Sequence, residues 1–272
     1  GSEYECVKKI ISHLKTFSMW EMVNFKQVDV DSLTGINIQK ILEEVSGPFG
    51  MKSNRQSPYI CVDMDWDAFW KAKSQRFKKS IRNKINRVQK NGGFVVEKIL
   101  LEGGDAPEFE TMERISRSSW KSMKGTDLAS NSAGLNFYKR ICDLWGPNGY
   151  VYVWFLIIEG TPIAFEFHIE YEGTVYPIRA DYDEKFKLLS PGSLLEYEII
   201  RNIFINNKNR EYHSCGHSYD YLLNWTVRIK DHQDFEIFNI DIKMVMLYLF
   251  EYKAMIVLRK MGLLKFYKSL TR

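Results

Sequence analysis

Three observations predict an α/β fold of the α+β kind, with a mixed, largely antiparallel sheet flanked by helices. Three consecutive strand-period segments, Tyr150 to Ile158, Pro162 to Tyr171 and Thr174 to Asp181, are joined by Glu159-Gly160 and Glu172-Gly173, pairs that suit tight hairpin turns. Helix-period segments stand before them, Pro107 to Met123 and Ser132 to Leu144, and another follows the loop Ser190-Pro191-Gly192-Ser193 and runs to about Asn206. The 272 residues are 45% hydrophobic and 26% charged, the balance of a chain that buries a sizeable core, which excludes disordered and collagen-like classes.

The remaining elements follow in order. Val7, Ile10, Ile11 and Leu14 fall at helical spacing within Glu5 to Phe17; Trp20 to Val30 reads as extended and Ile36 to Val45 as a helix. Pro58 to Val62 is a short strand, and the carboxylates of Asp65 and Asp67 suit the positive end of a helix running from about Trp66 to Gln89. Phe69, Phe77, Ile81, Ile85 and Val88 share one face of that helix, while nine Lys and Arg and no acid lie between Lys71 and Lys90. Asn91-Gly92-Gly93 stops it, and Phe94 to Leu100 opens a second unit. After the long helix come a strand near Glu211 to Ser214, a tyrosine-rich loop and a last strand near Phe235 to Ile240. Three parts are therefore expected: an N-terminal α/β unit over 3–92 ending in the basic helix, a second domain over 93–240, and a basic amphipathic helical segment over 241–272.

Net charge is only +4, but it is concentrated in the basic helix and in Ile242 to Arg272, where seven Lys and Arg meet one acid, Glu251. The rest of the chain is net acidic, so the two basic stretches suit contact with phosphates, lipid headgroups or RNA. Cys6, Cys61, Cys142 and Cys215 show no C-x-x-C spacing, so a reducing compartment is the simpler assumption and no structural metal is expected. Glu3 to Cys6 has none of the architecture of a secretory leader, and no run of 18 uncharged apolar residues occurs. The expected location is cytoplasmic, with a peripheral position on the inner face of the membrane as the alternative. Within Ile242 to Arg272, Met244, Leu247, Ile256, Leu263 and Phe266 interleave with Lys253, Arg259, Lys260 and Lys265, a pattern that fits a docked terminal helix or one lying on an anionic membrane.

In Ser190-Pro191-Gly192-Ser193, Pro191 sets a rigid approach, Gly192 lets a ligand come close to the backbone, and Ser193 can cap the new helix. Free N–H groups at such a terminus suit an anion. Three pieces of sequence, together with the order of elements, carry a resemblance. They are the basic helix Arg76 to Arg87, Ser119-Trp120 followed by Gly125, and Tyr182-Asp183 leading to Leu189-Ser190-Pro191-Gly192-Ser193-Leu194-Leu195. Over roughly Trp66 to Ile240 the chain resembles the GNAT acyltransferase superfamily, and within it the CelD-like branch of bacterial N-acyltransferases associated with exopolysaccharide and envelope genes. The resemblance implies acetyl-CoA or another acyl-CoA as donor, with its pyrophosphate at Ser190, Gly192, Ser193 and Leu194. Where the family has an Asp-Phe-Gly stretch closing on Tyr-Lys, this chain has His213-Ser214-Cys215-Gly216 and Tyr221-Leu222, without the Asp and the Lys.

An amine acceptor must lose a proton before it attacks a thioester, and Glu166 and His168, which share one face of their strand, are the first candidates for the base. Alternating polar residues also mark the outer face of a half-covered sheet. Arg179, Asp181 and Asp183 either bind the acceptor or form surface ion pairs; His213 and His217 are further candidates for substrate contact. His213-x-Cys215-x-His217 lacks the additional ligands a metal site needs, and Cys215 as an acyl-carrying nucleophile is secondary to direct transfer. By the resemblance, Tyr219 or Tyr221 protonates the leaving thiolate. Three functions compete: acyl transfer from acyl-CoA to an amine of a sugar, peptide or lipid-linked envelope precursor; Fem-type aminoacyl or peptidyl transfer from aminoacyl-tRNA, with the basic helix on the RNA; and a non-catalytic binding protein on the same fold.

Overall fold

The computed structural model describes residues 2–254 apart from 18, 19, 45, 46, 91, 129, 131, 207, 216 and 217. The chain divides into two compact units, one of Pro58–Arg228 and one of Gly1–Ser57 with Ile229–Arg272.

In the larger unit the meander forms as its turn chemistry requires. Strands β4 (Val151–Ile158), β5 (Thr161–Tyr171) and β6 (Thr174–Tyr182) are antiparallel neighbours. Both residues of each connecting Glu-Gly pair have positive φ, the backbone of a turn whose twist matches the strands it joins. Strand β3 (Val95–Leu100) pairs with β4, and β7 (Glu211–His213) lies between β6 and the end of β2 (Phe49–Cys61). The pairing of β6 with β7 is parallel; the other pairings in this unit are antiparallel.

Both faces of this sheet are covered, so β5 is buried from Ile163 to Ile169 and no half-covered outer face exists there. Phe165 and Phe167 pack with Phe109, Met112 and Ile115 of α5 (Glu108–Arg117) and Cys142 of α6 (Ser132–Trp145). Trp154, Leu156 and Ala164 pack with Leu194, Leu195 and Ile199 of α7 (Pro191–Asn206). Each such burial stabilises the fold by roughly 1.5–3 kcal/mol for a large apolar side chain.

The expected helix from Trp66 to Gln89 is two helices, α3 (Trp66–Lys71) and α4 (Gln75–Gln89). Ser74 breaks the run because its hydroxyl accepts the Phe77 N–H at 3.2 Å and caps a new helix. The boundary expected at residue 92 falls inside this unit. The apolar stripe Phe77, Ile81, Ile85 and Val88 is the reason, since Val88 is wholly buried in the same core as α7 and Phe77 and Ile85 pack against it. The helix expected from Pro107 to Met123 ends at Arg117, with a 3-10 turn at Ser122–Lys124 and Gly125 in the left-handed region.

In the smaller unit, α1 (Glu3–Leu14) and α2 (Leu33–Glu44) pack Ile11, Ile38, Ile41 and Leu42 against Phe235 and Ile237 of β8 (Ile229–Phe238). Strand β1 (Met22–Asp29) pairs antiparallel with β8, which assigns to this unit the strand that the sequence placed at the end of the second domain. The chain continues as α8 (Ile242–Leu249) and a π-helical turn over Phe250–Ala254, with Tyr248 and Tyr252 against Phe238. The amphipathic segment beyond, 255–272, lies outside the described residues. No helix among the described residues is long and apolar enough to cross a membrane.

Candidate active site

Strands β6 and β7 pair at Thr174↔Glu211 and Val175↔Tyr212 and then part. The β5–β6 register shifts between Phe167 and His168, a bulge that falls beside Pro177, which has no N–H to give to a ladder. The parted edge opens onto a cavity of about 980 Å³, lined by β6 from Pro177 to Tyr182, by the start of α7 and by the loop carrying Tyr219 and Tyr221.

Ser190 has φ +56°, a left-handed conformation that costs a non-glycine residue on the order of 1 kcal/mol. It turns the chain abruptly into α7, which begins at Pro191, a residue suited to the first helical position because its missing N–H would have no partner there. The Ser190 carbonyl takes the Leu194 N–H at 3.2 Å, whereas the Gly192 and Ser193 amides have no acceptor among the described residues. Gly192, Ser193 and Ser190 all line the cavity. Ser193 lies inside the first turn and is not the cap; its hydroxyl accepts from Lys84 Nζ at 2.9 Å. Arg87, one turn further along α4, donates to the Leu188 carbonyl. Two cations of the basic helix are thus held beside free helix-terminal amides, an arrangement suited to a polyphosphate.

A second group of side chains in and behind the cavity wall is titratable. Glu166 is 6% exposed, lines the cavity and lies 3.0 Å from Nε2 of His168. His168 is wholly buried and its Nδ1 has no hydrogen-bond partner. An unpaired buried lone pair costs less than an unpaired N–H, so the ring carries its proton on Nε2 and donates it to Glu166. Burial lowers the His168 pKa to about 3, so the ring stays neutral. His168 is therefore a positioning residue behind Glu166 and does not itself reach the cavity.

Burial pushes the Glu166 carboxyl up to about 8, opposed by a hydrogen bond with Tyr212. The same shift, to about 8, falls on Glu196 of α7, through burial and then the charge of Glu166, against a 3.0 Å hydrogen bond from Trp225 Nε1 and the charge of Lys84. Two like charges in one desolvated space do not form together easily. Glu166→Gln is accordingly expected to lower the pH at which Glu196 ionises, because the charge of Glu166 is one of the causes that hold the Glu196 carboxyl up. A Glu196 titration, followed by carboxyl-resolved NMR, that is unchanged in the variant would separate the two carboxyls. Tyr221 is raised to about 12 by burial and by these carboxylates, so it holds its proton; its ring stacks on Tyr219 at 5.9 Å.

The cavity brings together eight of the residues expected from sequence: Glu166, Tyr219, Tyr221, Ser190, Gly192, Ser193, Arg179 and Asp181. Leu194 is a core residue whose amide is already spent on Ser190, so it offers nothing to a cofactor. Asp183 caps the 3-10 turn Glu184–Leu189 by accepting the Lys185 N–H at 2.9 Å. His213 sits in β7 opposite Tyr59, packs on Tyr176 and is engaged with Cys215; neither it nor Asp183 lines the cavity. His217 lies outside the described residues. Among the described residues no group of three or more metal-capable side chains converges. Glu196, Tyr212 and Lys121 escaped the sequence reading, and Lys84 stood in it only as one of the cations of the basic helix. Glu196 sits three residues beyond Ser193, one helical turn from the Ser190-Pro191-Gly192-Ser193 loop, and that spacing was the available signal.

Residues 75–221 match the family model described as acetyltransferase (GNAT) domain, more than half of the chain, and the protein belongs to that family. Its fold is shared with the solved structure of FemX, at TM-score 0.63 and 10% identity over 92% of this chain and 79% of that one. The C-terminal domain of a putative lysylphosphatidylglycerol synthetase from Agrobacterium fabrum aligns at TM-score 0.60 and 12% identity, over 91% and 77%. A conserved protein of unknown function from Bacteroides thetaiotaomicron aligns at 0.59 and 13%, over 88% and 76%. A search of curated proteins by sequence returned no match. The family and the cavity together define a transferase of the acyl-transfer kind.

Proposed function

We propose that the protein is an acyl-CoA-dependent N-acyltransferase that carries an acyl group, acetyl in the simplest case, to an amine of a sugar, peptide or lipid-linked envelope precursor. The observation that carries this reading is the set of free Gly192 and Ser193 amides, flanked by Lys84, on the same cavity as Glu166. The helix terminus and Lys84 would hold the pyrophosphate, and the thioester would lie along the parted edge of β6. Ala180 turns its carbonyl to Lys121, and in a strand the N–H of the same residue points to the same side, which supports a role for the Ala180 amide in polarising the thioester carbonyl. Glu166 takes the amine proton, the amine nitrogen bonds to the acyl carbon, and the carbon–sulfur bond breaks as Tyr221 gives its proton to the departing thiolate.

Aminoacyl transfer from tRNA, the Fem-type reading, has one observation of its own. Arg76, Lys79 and Arg82 of α4 and Lys90 just past its end are exposed and are not among the residues lining the cavity, more cations than a coenzyme needs and a fit for an RNA backbone. A thermal-shift comparison of coenzyme A, acetyl-CoA, longer acyl-CoAs and aminoacyl-tRNA tests the choice, because a ligand that binds only the folded state raises its melting temperature. Stabilisation by acetyl-CoA or a longer acyl-CoA is expected. Stabilisation by aminoacyl-tRNA alone would overturn the coenzyme reading.

A further inference from the structure

The cavity carries a charge arrangement that neither donor binding nor proton transfer uses. The β5–β6 register sets Phe165 opposite Asp181 and Phe167 opposite Arg179, which places both charged residues on the face covered by α5 and α6. The Asp181 side chain is wholly excluded from solvent and meets two cations: Arg179 Nε at 2.9 Å and Lys121 Nζ at 2.5 Å. Ser116 completes the group by donating its hydroxyl to Asp181 at 2.8 Å. Arg179 is locked in place, since Nη2 also donates to Ser116 Oγ at 3.2 Å and to the Thr126 carbonyl at 3.0 Å.

Lys121 is different. Its ammonium has three N–H groups; it donates to the Ala180 carbonyl at 2.7 Å and is ion-paired with Asp181. It lines the cavity, and burial lowers its pKa although Asp181 opposes the shift. One carboxylate against two cations leaves an excess positive charge on a partly solvent-exposed wall, with Lys187 also lining the cavity and the 40%-exposed Trp120 beside it. Packing alone would be served by Arg179 and Asp181, whose charges already balance. Ala180, to which Lys121 is tied, is directly across from Glu166 in the register. The cation and the base therefore flank one strand position from opposite faces of the sheet.

From this geometry, and resting on the acyltransferase reading, we infer that Lys121, held by Asp181 and Arg179, is a subsite for an anionic group of the acceptor. The amine that this protein acylates then also bears a carboxylate or a phosphate. Glu166 receives the ammonium end and Lys121 the anionic end.

The test is calorimetric titration of matched amines into the full chain, with and without coenzyme A: alanine against alaninamide, and glucosamine 6-phosphate against glucosamine. A charge-assisted contact predicts that the anion-bearing member of at least one pair binds about tenfold tighter or more. The pair that shows the preference identifies carboxylate or phosphate as the group. Lys121→Met is expected to reduce that preference to about twofold or less, and Lys121→Arg to restore part of it. Equal binding within both pairs, no binding of either anionic amine at millimolar concentration, or a preference that survives in Lys121→Met would overturn the proposal. If Lys121→Met does not fold, the wild-type preference and Lys121→Gln decide the matter. Loss of coenzyme A binding with the amine preference intact would overturn the donor reading and leave this one standing.

Discussion

Gly192→Asp is expected to weaken acyl-CoA binding by about 100-fold or more while the protein remains folded, a loss of about 2.7 kcal/mol or more in binding free energy. The backbone at Gly192 is helical, and a Cβ there would meet only the Tyr182 ring at 3.8 Å, an ordinary contact. A carboxylate in the first turn of a helix is moreover favourable, by roughly 0.3–1 kcal/mol. The variant should therefore melt at or slightly above the wild-type temperature, while the new charge occupies the space that a pyrophosphate needs. Calorimetric titration with acetyl-CoA, alongside thermal denaturation, checks both halves. Lys84→Met should weaken the same binding less, because it removes one cation and leaves the helix amides in place.

Glu166→Gln is expected to lower kcat by roughly 10²–10⁴-fold with little change in donor affinity, the range that a positioned general base contributes. The wild-type rate should climb as pH rises through about 8, the region in which Glu166 gives up its proton. Stability should move the opposite way. The folded carboxyl keeps a proton that the unfolded chain, with a pKa near 4.5, has already lost, so folding stability falls as pH rises between those values and levels off above about 8. In Glu166→Gln that fall should be smaller, though not absent, because Glu196 is shifted in the same sense. A melting temperature with the same pH dependence in the variant would mean that Glu166 is ionised in the folded protein.

Much of this was legible in the sequence because it was carried by local chemistry. The Glu-Gly turns fix the meander, and the period of apolar residues identifies the helices on either side of it. Ser190-Pro191-Gly192-Ser193 marks a helix start, although Ser190 in a left-handed turn, and not Ser193, ends the preceding loop. What was not legible depended on strand pairing across long separations. Nothing local shows that β8 pairs with β1, or that β6 and β7 part after Val175 and create the cavity. His168 and Glu166 alternate as polar residues on an exposed strand would. Only the helices on both faces reveal that one is buried support and the other the carboxyl on the cavity. Glu196 and Lys121 carry no local signal of a role, and it is tertiary packing that draws them toward Glu166 and Asp181.

The most direct test of the account is the release of free thiol from acetyl-CoA, measured with and without amine acceptors for the wild-type protein and for Glu166→Gln. Thiol release that depends on the amine, rises with pH through about 8, and falls at least about 100-fold in the variant is the predicted result. Binding of acetyl-CoA with no thiol release across an amine panel that includes anionic and neutral members, or release at equal rates in the wild type and in Glu166→Gln, would contradict it.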